Sequence, residues 1–169
     1  MVTKQFSRTT IGLAAEYAVA AELCRRGMYA QLTLGNQKRT DLLVFSETGK
    51  LARIEVKAKQ GRDWPNCKGI FGRGVFLVFV DFQRHEAATR PEFFILTVKD
   101  WRKLLERRVR EIKKRHPGKR IRITDENVAV FLDEIGKSGK PYRGIGIGAK
   151  DVGQSRERWG KIARALGAA

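Results

Sequence analysis

Six consecutive apolar residues, Val75-Phe76-Leu77-Val78-Phe79-Val80, restrict the possible folds of this chain more than any other feature. Successive side chains of a strand point to opposite faces, so a strand with no polar alternation has both faces covered. The chain must therefore build a sheet with a layer on each side. Other elements read from local signals. Ser7 to Arg26 is a helix closed by Gly27 as its terminal glycine. Residues 41–45 form a strand, 46–50 a turn and 51–59 a second strand. Residues 61–74, with Gly69, Gly72 and Gly74, read as a loop, and 93–97 as a further strand. Lys99-Asp100 opens a basic helix through about Arg115, stopped by His116-Pro117-Gly118. Thr124 is a suitable N-cap for a short helix over 125–134. The order implies an α/β fold with a mixed β-sheet flanked by helices on both sides. Residues 1–135 are expected to form the core domain. Residues 136–169 would be a glycine-rich connection and a C-terminal amphipathic extension of that domain, around Trp159-Gly160-Lys161-Ile162.

The charge narrows the partners. Lys and Arg number 35 against 18 Asp and Glu in 169 residues, a net +17 with a pI near 10.5. Such an excess in a single domain points to nucleic acid or an acidic membrane surface. No apolar run has the length of a spanning helix, which disfavours the membrane. The start, Met1 to Phe6, has no signal-peptide apolar region, and a cytoplasmic location is expected. Cys24 and Cys67 are isolated, with no Cys-x-x-Cys or Cys/His cluster, so neither a disulfide framework nor a zinc site is expected. Each reads as a small buried hydrophobe.

Carboxylates stand in unusual places. At 100° per residue, Gly12, Leu13, Glu16, Tyr17, Val19, Ala20, Leu23 and Cys24 share one arc of the first helix, with Glu22 opposite. Glu16 thus interrupts the apolar stripe, which is costly unless it is paired, protonated or metal-bound. A salt bridge to a strand lysine is the plainer reading. With the turn centred on Thr48, Asp41 faces Glu55 across the hairpin and Leu43 faces Arg53. Like charges so placed destabilise a sheet unless a cation lies between them. Alternation puts Arg53, Glu55, Lys57 and Lys59 on one face, and Ile54, Val56 and Ala58 on the other. An exposed polar face with incidental ion pairs is the alternative. The two histidines, His85 and His116, read as surface side chains.

This grouping resembles the PD-(D/E)XK nuclease superfamily, over roughly half the chain, from the first helix to about Phe79. Gly12, Ala15-Glu16 and Gly27 look like the opening helix of its resolvase-like and small endonuclease members. Asp41 takes the place of the motif Asp, and Glu55-Val56-Lys57 that of the (D/E)XK element. Thr40 stands where the name-giving Pro would be. Gln60 follows the lysine at a spacing seen in several nuclease subgroups. The resemblance implies a restriction-endonuclease-like core and Mg²⁺-dependent hydrolysis of DNA, with Mn²⁺ able to substitute. A small homing-type endonuclease and a Holliday-junction-resolvase-like enzyme both fit.

The chemistry suits those residues. Phosphodiester hydrolysis needs an activated water and neutralised charge on phosphorus, and Mg²⁺ held by one or two carboxylates supplies both. Asp41 and Glu55 are the expected ligands, and Glu16 a third ligand or an orienter of bound water. Lys57 would hold the attacking water or stabilise the phosphorane. Asp41, Glu55, Lys57 and Glu16 are thus the expected catalytic set. Gly69, Gly72 and Gly74 around Arg73 either admit a phosphate or form a plain connection. Trp64 either stacks on a base or anchors packing. From Trp101 to Arg122 eleven basic residues stand against two acidic ones, which favours phosphate contact over a merely solvated face. Expected DNA contacts are Gln60, Arg73, Lys59, Arg107, Arg108, Lys113 and Lys114. The reading is a Mg²⁺-dependent DNA endonuclease with no small-molecule cofactor. Because each chain carries one site, a homodimer or higher homo-oligomer is expected. The rival is a non-catalytic basic nucleic-acid-binding module of the same fold.

Overall fold

The apolar run does become a central strand. The computed structural model describes residues 6–33, 39–82 and 89–167. Its main sheet has five strands in the order β1 (Tyr29–Leu32), β2 (Leu42–Phe45), β3 (Leu51–Lys59), β5 (Val75–Asp81) and β6 (Glu92–Thr97). β3 and β5 run parallel and the other neighbours antiparallel, so the protein is α/β with a mixed sheet. All seven residues of β5 are buried. Phe76, Val78 and Val80 enter one core with α1 (Arg8–Cys24) and α4 (Gly160–Leu166). Val75, Leu77 and Phe79 enter a second core beneath α2 (Val98–Arg115).

Local chemistry sets the helix ends. The Ser7 hydroxyl accepts from the Thr10 amide at 3.1 Å and starts α1. Gly27, at φ +74°, ends it: its amide reaches Cys24 O while Met28 N donates to Leu23 O, the paired bonds of a Schellman turn. Thr97 and Asp100 cap α2 reciprocally through both backbone and side chain.

Several sequence expectations are corrected. Within 61–74 lies β4 (Asp63–Cys67), which pairs with β10 (Ile145–Gly148). The stretch 125–134 is not helical. Thr124 instead closes a turn, with Asn127 N on Thr124 O and Asn127 at φ +57°, that delivers β8 (Ala129–Ile135). β8 lies between β7 (Ile121–Ile123) and β9 (Pro141–Arg143), burying Ala129, Val130 and Phe131. The glycine-rich stretch thus contributes two strands, and Gly144, at φ +125°, packs on the Asn66 backbone, where a Cβ would meet it at 3.0 Å. α3 (Ala149–Val152) and a 3-10 turn (Gly153–Ser155) lead on toward α4.

The core-facing arc of α1 is rotated from the expected one. Ala15, Val19, Ala20, Glu22 and Leu23 are buried, whereas Leu13, Tyr17 and Cys24 are exposed. Glu22 is the surprise. It is buried because Arg90 reaches it with two nitrogens at 2.9 Å, Arg26 pairs with it one turn on, and Arg90 also grips Glu157. The Arg90 hydrogen bonds outweigh burial and, with Arg26, hold the carboxyl down to about 2. A depressed carboxyl stabilises the fold above its ordinary value and loses that effect as protons bind. Stability should therefore fall between about pH 4.5 and pH 2, and urea unfolding across that window should show a shallower acid loss in Glu22→Gln.

Gly69 provides a second test. At φ +75° it lies beneath Trp101, and a Cβ there would sit 1.9 Å from the indole Nε1. That nitrogen donates to Asn127 O at 2.9 Å, and the ring is fully buried. Gly69→Ala combines overpacking with a disfavoured backbone, and should cost about 3 kcal/mol in denaturant unfolding.

Candidate metal and phosphodiester site

β3 presents the site because β2 stops short of it. The hairpin register pairs Leu43 with Arg53 and Leu42 with Ile54, which sets Asp41 across from Glu55 as expected. Beyond Ile54 the antiparallel ladder has run out, and the Val56 amide would lack a partner. Asp41 Oδ2 accepts it at 2.6 Å, while Asp41 N donates to Ile54 O. The carboxylate thus completes the strand edge with one oxygen and leaves Oδ1 for another partner.

Glu55 is buried, with a side chain only 7% exposed. Oε1 pairs with Lys57 Nζ at 2.7 Å, and Oε2 is buried without any hydrogen-bond partner. An unsatisfied buried carboxylate oxygen costs on the order of 1–3 kcal/mol or more, and such an atom calls for a cation or a donor from outside the chain. Burial pushes the Lys57 ammonium down, but the Glu55 carboxylate beside it and the charge of Asp41 prevail and raise it. Lys57 thus stands as an ammonium held against Glu55 Oε1.

Glu16 is half-buried. Burial and the Asp41 charge raise its pKa, and Lys57 opposes them. Those interactions put Glu16 near the pair. It makes no ion pair among the described residues, so the salt bridge to a strand lysine is not formed. Nor do the described residues hold any set of three acidic, His or Cys side chains close enough to enclose an ion. The carboxylate oxygens left for a partner from outside the chain are Asp41 Oδ1 and Glu55 Oε2, with Glu16 at the periphery. Two carboxylates suit Mg²⁺, which retains much of its water shell.

Lys59 is placed differently from the other strand lysine. Its side chain is 1% exposed, its ammonium lies 2.7 Å from Asp81 and 3.2 Å from Gly61 O, and it covers the Trp64 ring at 4.7 Å. Asp81 is its register partner on β5. Burial removes Lys59 from the expected DNA contacts and makes it a structural cation. Trp64 is likewise a packing anchor: it is buried, donates to Val80 O and tilts against Phe79. Gln60 spends its amide on both backbone groups of Phe6, tying the end of β3 to the start of α1. Cys67 sits behind Glu55 and Lys57 as a neutral thiol, pushed up to about 12 by burial.

The basic helix divides. Arg107 donates to Asp151 O at 2.7 Å, and Arg108 pairs with Glu111 at 2.8 Å and lies 3.5 Å from Asp151. These arginines dock α3 onto α2. Lys113 and Lys114 in the last turn are exposed and have no partner among the described residues, as is the case for Arg73 in its glycine-rich loop. His116 is exposed, and His85 lies outside the described residues. A cleft of about 260 Å³ between α2 and α3 is far from this chemistry, and its Lys161 is already paired with Asp100 at 2.9 Å. A second, of about 180 Å³, is lined by Arg39, Thr40, Arg53, Glu55 and Phe71. The smaller cleft is the one that opens on Glu55. Sequence reasoning missed Arg39 and Arg53 as site residues, although the strand alternation had placed Arg53 beside Glu55.

No family model matches this sequence and no curated protein is detectably similar to it. Among solved structures, a bacterial homing endonuclease aligns with a TM-score of 0.41 and 18% identity, over 56% of this chain and 71% of its own. No helix among the described residues is long and apolar enough to cross a membrane.

The two strand lysines separate structure from chemistry. Lys59→Ala would remove the buried Lys59–Asp81 pair and should cost about 3 kcal/mol by urea unfolding. Lys57→Ala leaves the likewise buried Glu55 carboxylate without its ion pair and should cost a comparable amount, but only Lys57→Ala should also slow cleavage by the folded protein.

Proposed function

We propose that the protein is a Mg²⁺-dependent DNA endonuclease that hydrolyses phosphodiester bonds at Asp41, Glu55 and Lys57. The observation that carries this reading is the buried, unpartnered Oε2 of Glu55, beside an Asp41 with one oxygen to spare and a lysine paired to the other Glu55 oxygen. Asp41 and Glu55 would hold the ion. When bound, Mg²⁺ would lower the pKa of a water and neutralise a phosphate oxygen. Lys57 offsets the negative charge that grows on phosphorus, and its fixed pairing with Glu55 Oε1 means little reorganisation accompanies the reaction. Glu16 is positioned to accept a hydrogen bond from a water at the edge of the pair. Burial and the Asp41 charge raise its pKa, so it takes up its proton earlier than a free glutamate as the pH falls, and activity should decline with that protonation.

The net charge of +17 supports a polyanionic substrate. Lys113, Lys114 and Arg73 are among the exposed cations without a partner among the described residues, and would meet phosphates. One site per chain suits a homodimer or higher homo-oligomer for cutting both strands. Homing-type and junction-resolving substrates both remain compatible with this site.

Plasmid, branched and single-stranded DNA, each with and without Mg²⁺, form the test set. Wild type should cut at least one form only with the metal. Lys57→Ala should cut on the order of a hundredfold more slowly, with unchanged DNA affinity. Asp41→Ala should lose Mn²⁺ binding by calorimetry, whereas Glu22→Gln should keep it. If no DNA form is cleaved, or Lys57→Ala cuts at the wild-type rate, the non-catalytic binding module becomes the better description.

A further inference from the structure

Arg53 stands one step along the same face of β3 from Glu55, in the cleft that exposes that carboxylate. Its backbone is fixed by a 2.8 Å bond from its amide to Gly74 O. Its guanidinium lies against Gly72, where a Cβ would come within 3.5 Å of Nη2. The side chain makes no hydrogen bond or ion pair among the described residues. Arg39, which also lines the cleft, is held by Glu126 at 3.0 Å and by the Phe71 ring at 4.8 Å. Phe71 itself is 40% exposed at the rim.

Along β3 the charges therefore run positive, negative, positive: Arg53, Glu55, Lys57. Residues two apart on a strand are separated by about 6.6 Å, a span comparable with that between successive phosphates of one nucleic-acid strand. A guanidinium also presents a planar fork that matches two phosphate oxygens. We propose that the 180 Å³ cleft is a phosphate subsite in which Arg53 grips the phosphodiester next to the one over Glu55. Arg39 in the same cleft adds charge, and Phe71 would lie against the adjoining sugar. The subsite fixes the register of the strand on β3, so that a phosphate two residues along meets the carboxylates. This inference rests on the nuclease reading for its orientation, but the contact itself concerns binding alone.

The test is DNA affinity rather than cleavage. A fluorescent duplex is titrated with wild type, Arg53→Gln, Arg53→Lys and Lys137→Gln over a salt series. Lys137 is an exposed turn residue outside the cleft. Arg53→Gln should flatten the plot of log affinity against log salt by about 0.9, the loss of one phosphate contact, and Arg53→Lys should restore it. In wild type the Gly72 amide resonance should shift when duplex is added, and in Arg53→Gln it should not. Mn²⁺ binding should match wild type in both Arg53 variants. An Arg53→Gln slope equal to wild type, an equal flattening by Lys137→Gln, or a Gly72 shift that survives the substitution would each overturn the subsite. Failure of the nuclease reading looks different: wild type then binds DNA without cutting it, and the slopes still decide whether Arg53 holds a phosphate.

Discussion

A single hydrogen bond, from the Val56 amide to Asp41 Oδ2, joins the sheet to the site. β3 is central, and every backbone group on a central strand needs a partner. β5 satisfies one edge along its full length to the Lys59–Asp81 pair. β2 satisfies the other only as far as Ile54, because the turn at 46–50 fixes where the ladder ends. The side chain of Asp41 then does the work of a missing strand residue. A carboxylate that completes a ladder cannot swing away, so its second oxygen is aimed beside Glu55 by the backbone itself. Position and charge of the candidate site are consequences of where a hairpin runs out.

Burial sorts otherwise equivalent residues on that strand. Arg53, Glu55, Lys57 and Lys59 share a face, yet each meets a different environment. Lys59 is sealed beneath Trp64 and matched by Asp81, where its ammonium has no access to a ligand. Lys57 is half-exposed and tied to Glu55. Arg53 reaches the cleft unpaired. The gradient from structural cation to free cation follows the sheet from its covered end toward the opening made by Gly72 and Phe71. The basic helix shows the same sorting, since Arg107 and Arg108 dock α3 while Lys113 and Lys114 face solvent.

Much of the main sheet was legible in the chain. Unbroken apolarity at 75–80 required a doubly covered strand, and the turn centred on Thr48 gave the Leu43–Arg53 register directly. Local signals misled at Thr124, where an N-cap residue and polar neighbours suggested a helix. There the apolar Ala129-Val130-Phe131 segment gains more by joining β7 and β9 over the second core, and tertiary burial overrides local propensity. The Gly136–Gly148 stretch was opaque for a related reason: β9 and β10 are short, and their partners lie far away in sequence.

What the sequence determined by itself is the α/β layering, the Asp41–Glu55 opposition and the basic character, because these follow from strand alternation, turn placement and residue counts. Tertiary structure alone decided which charges are free. Glu22 was assigned to solvent by helical periodicity, yet Arg90 and Arg26 neutralise it in a buried network. Among the described residues Glu55 is left with an unsatisfied oxygen and Arg53 with no acidic partner, because the described loops that fold against β3 supply none. Pairing depends on which groups approach within a few ångströms, and a periodic pattern along one element cannot specify what another element brings to it.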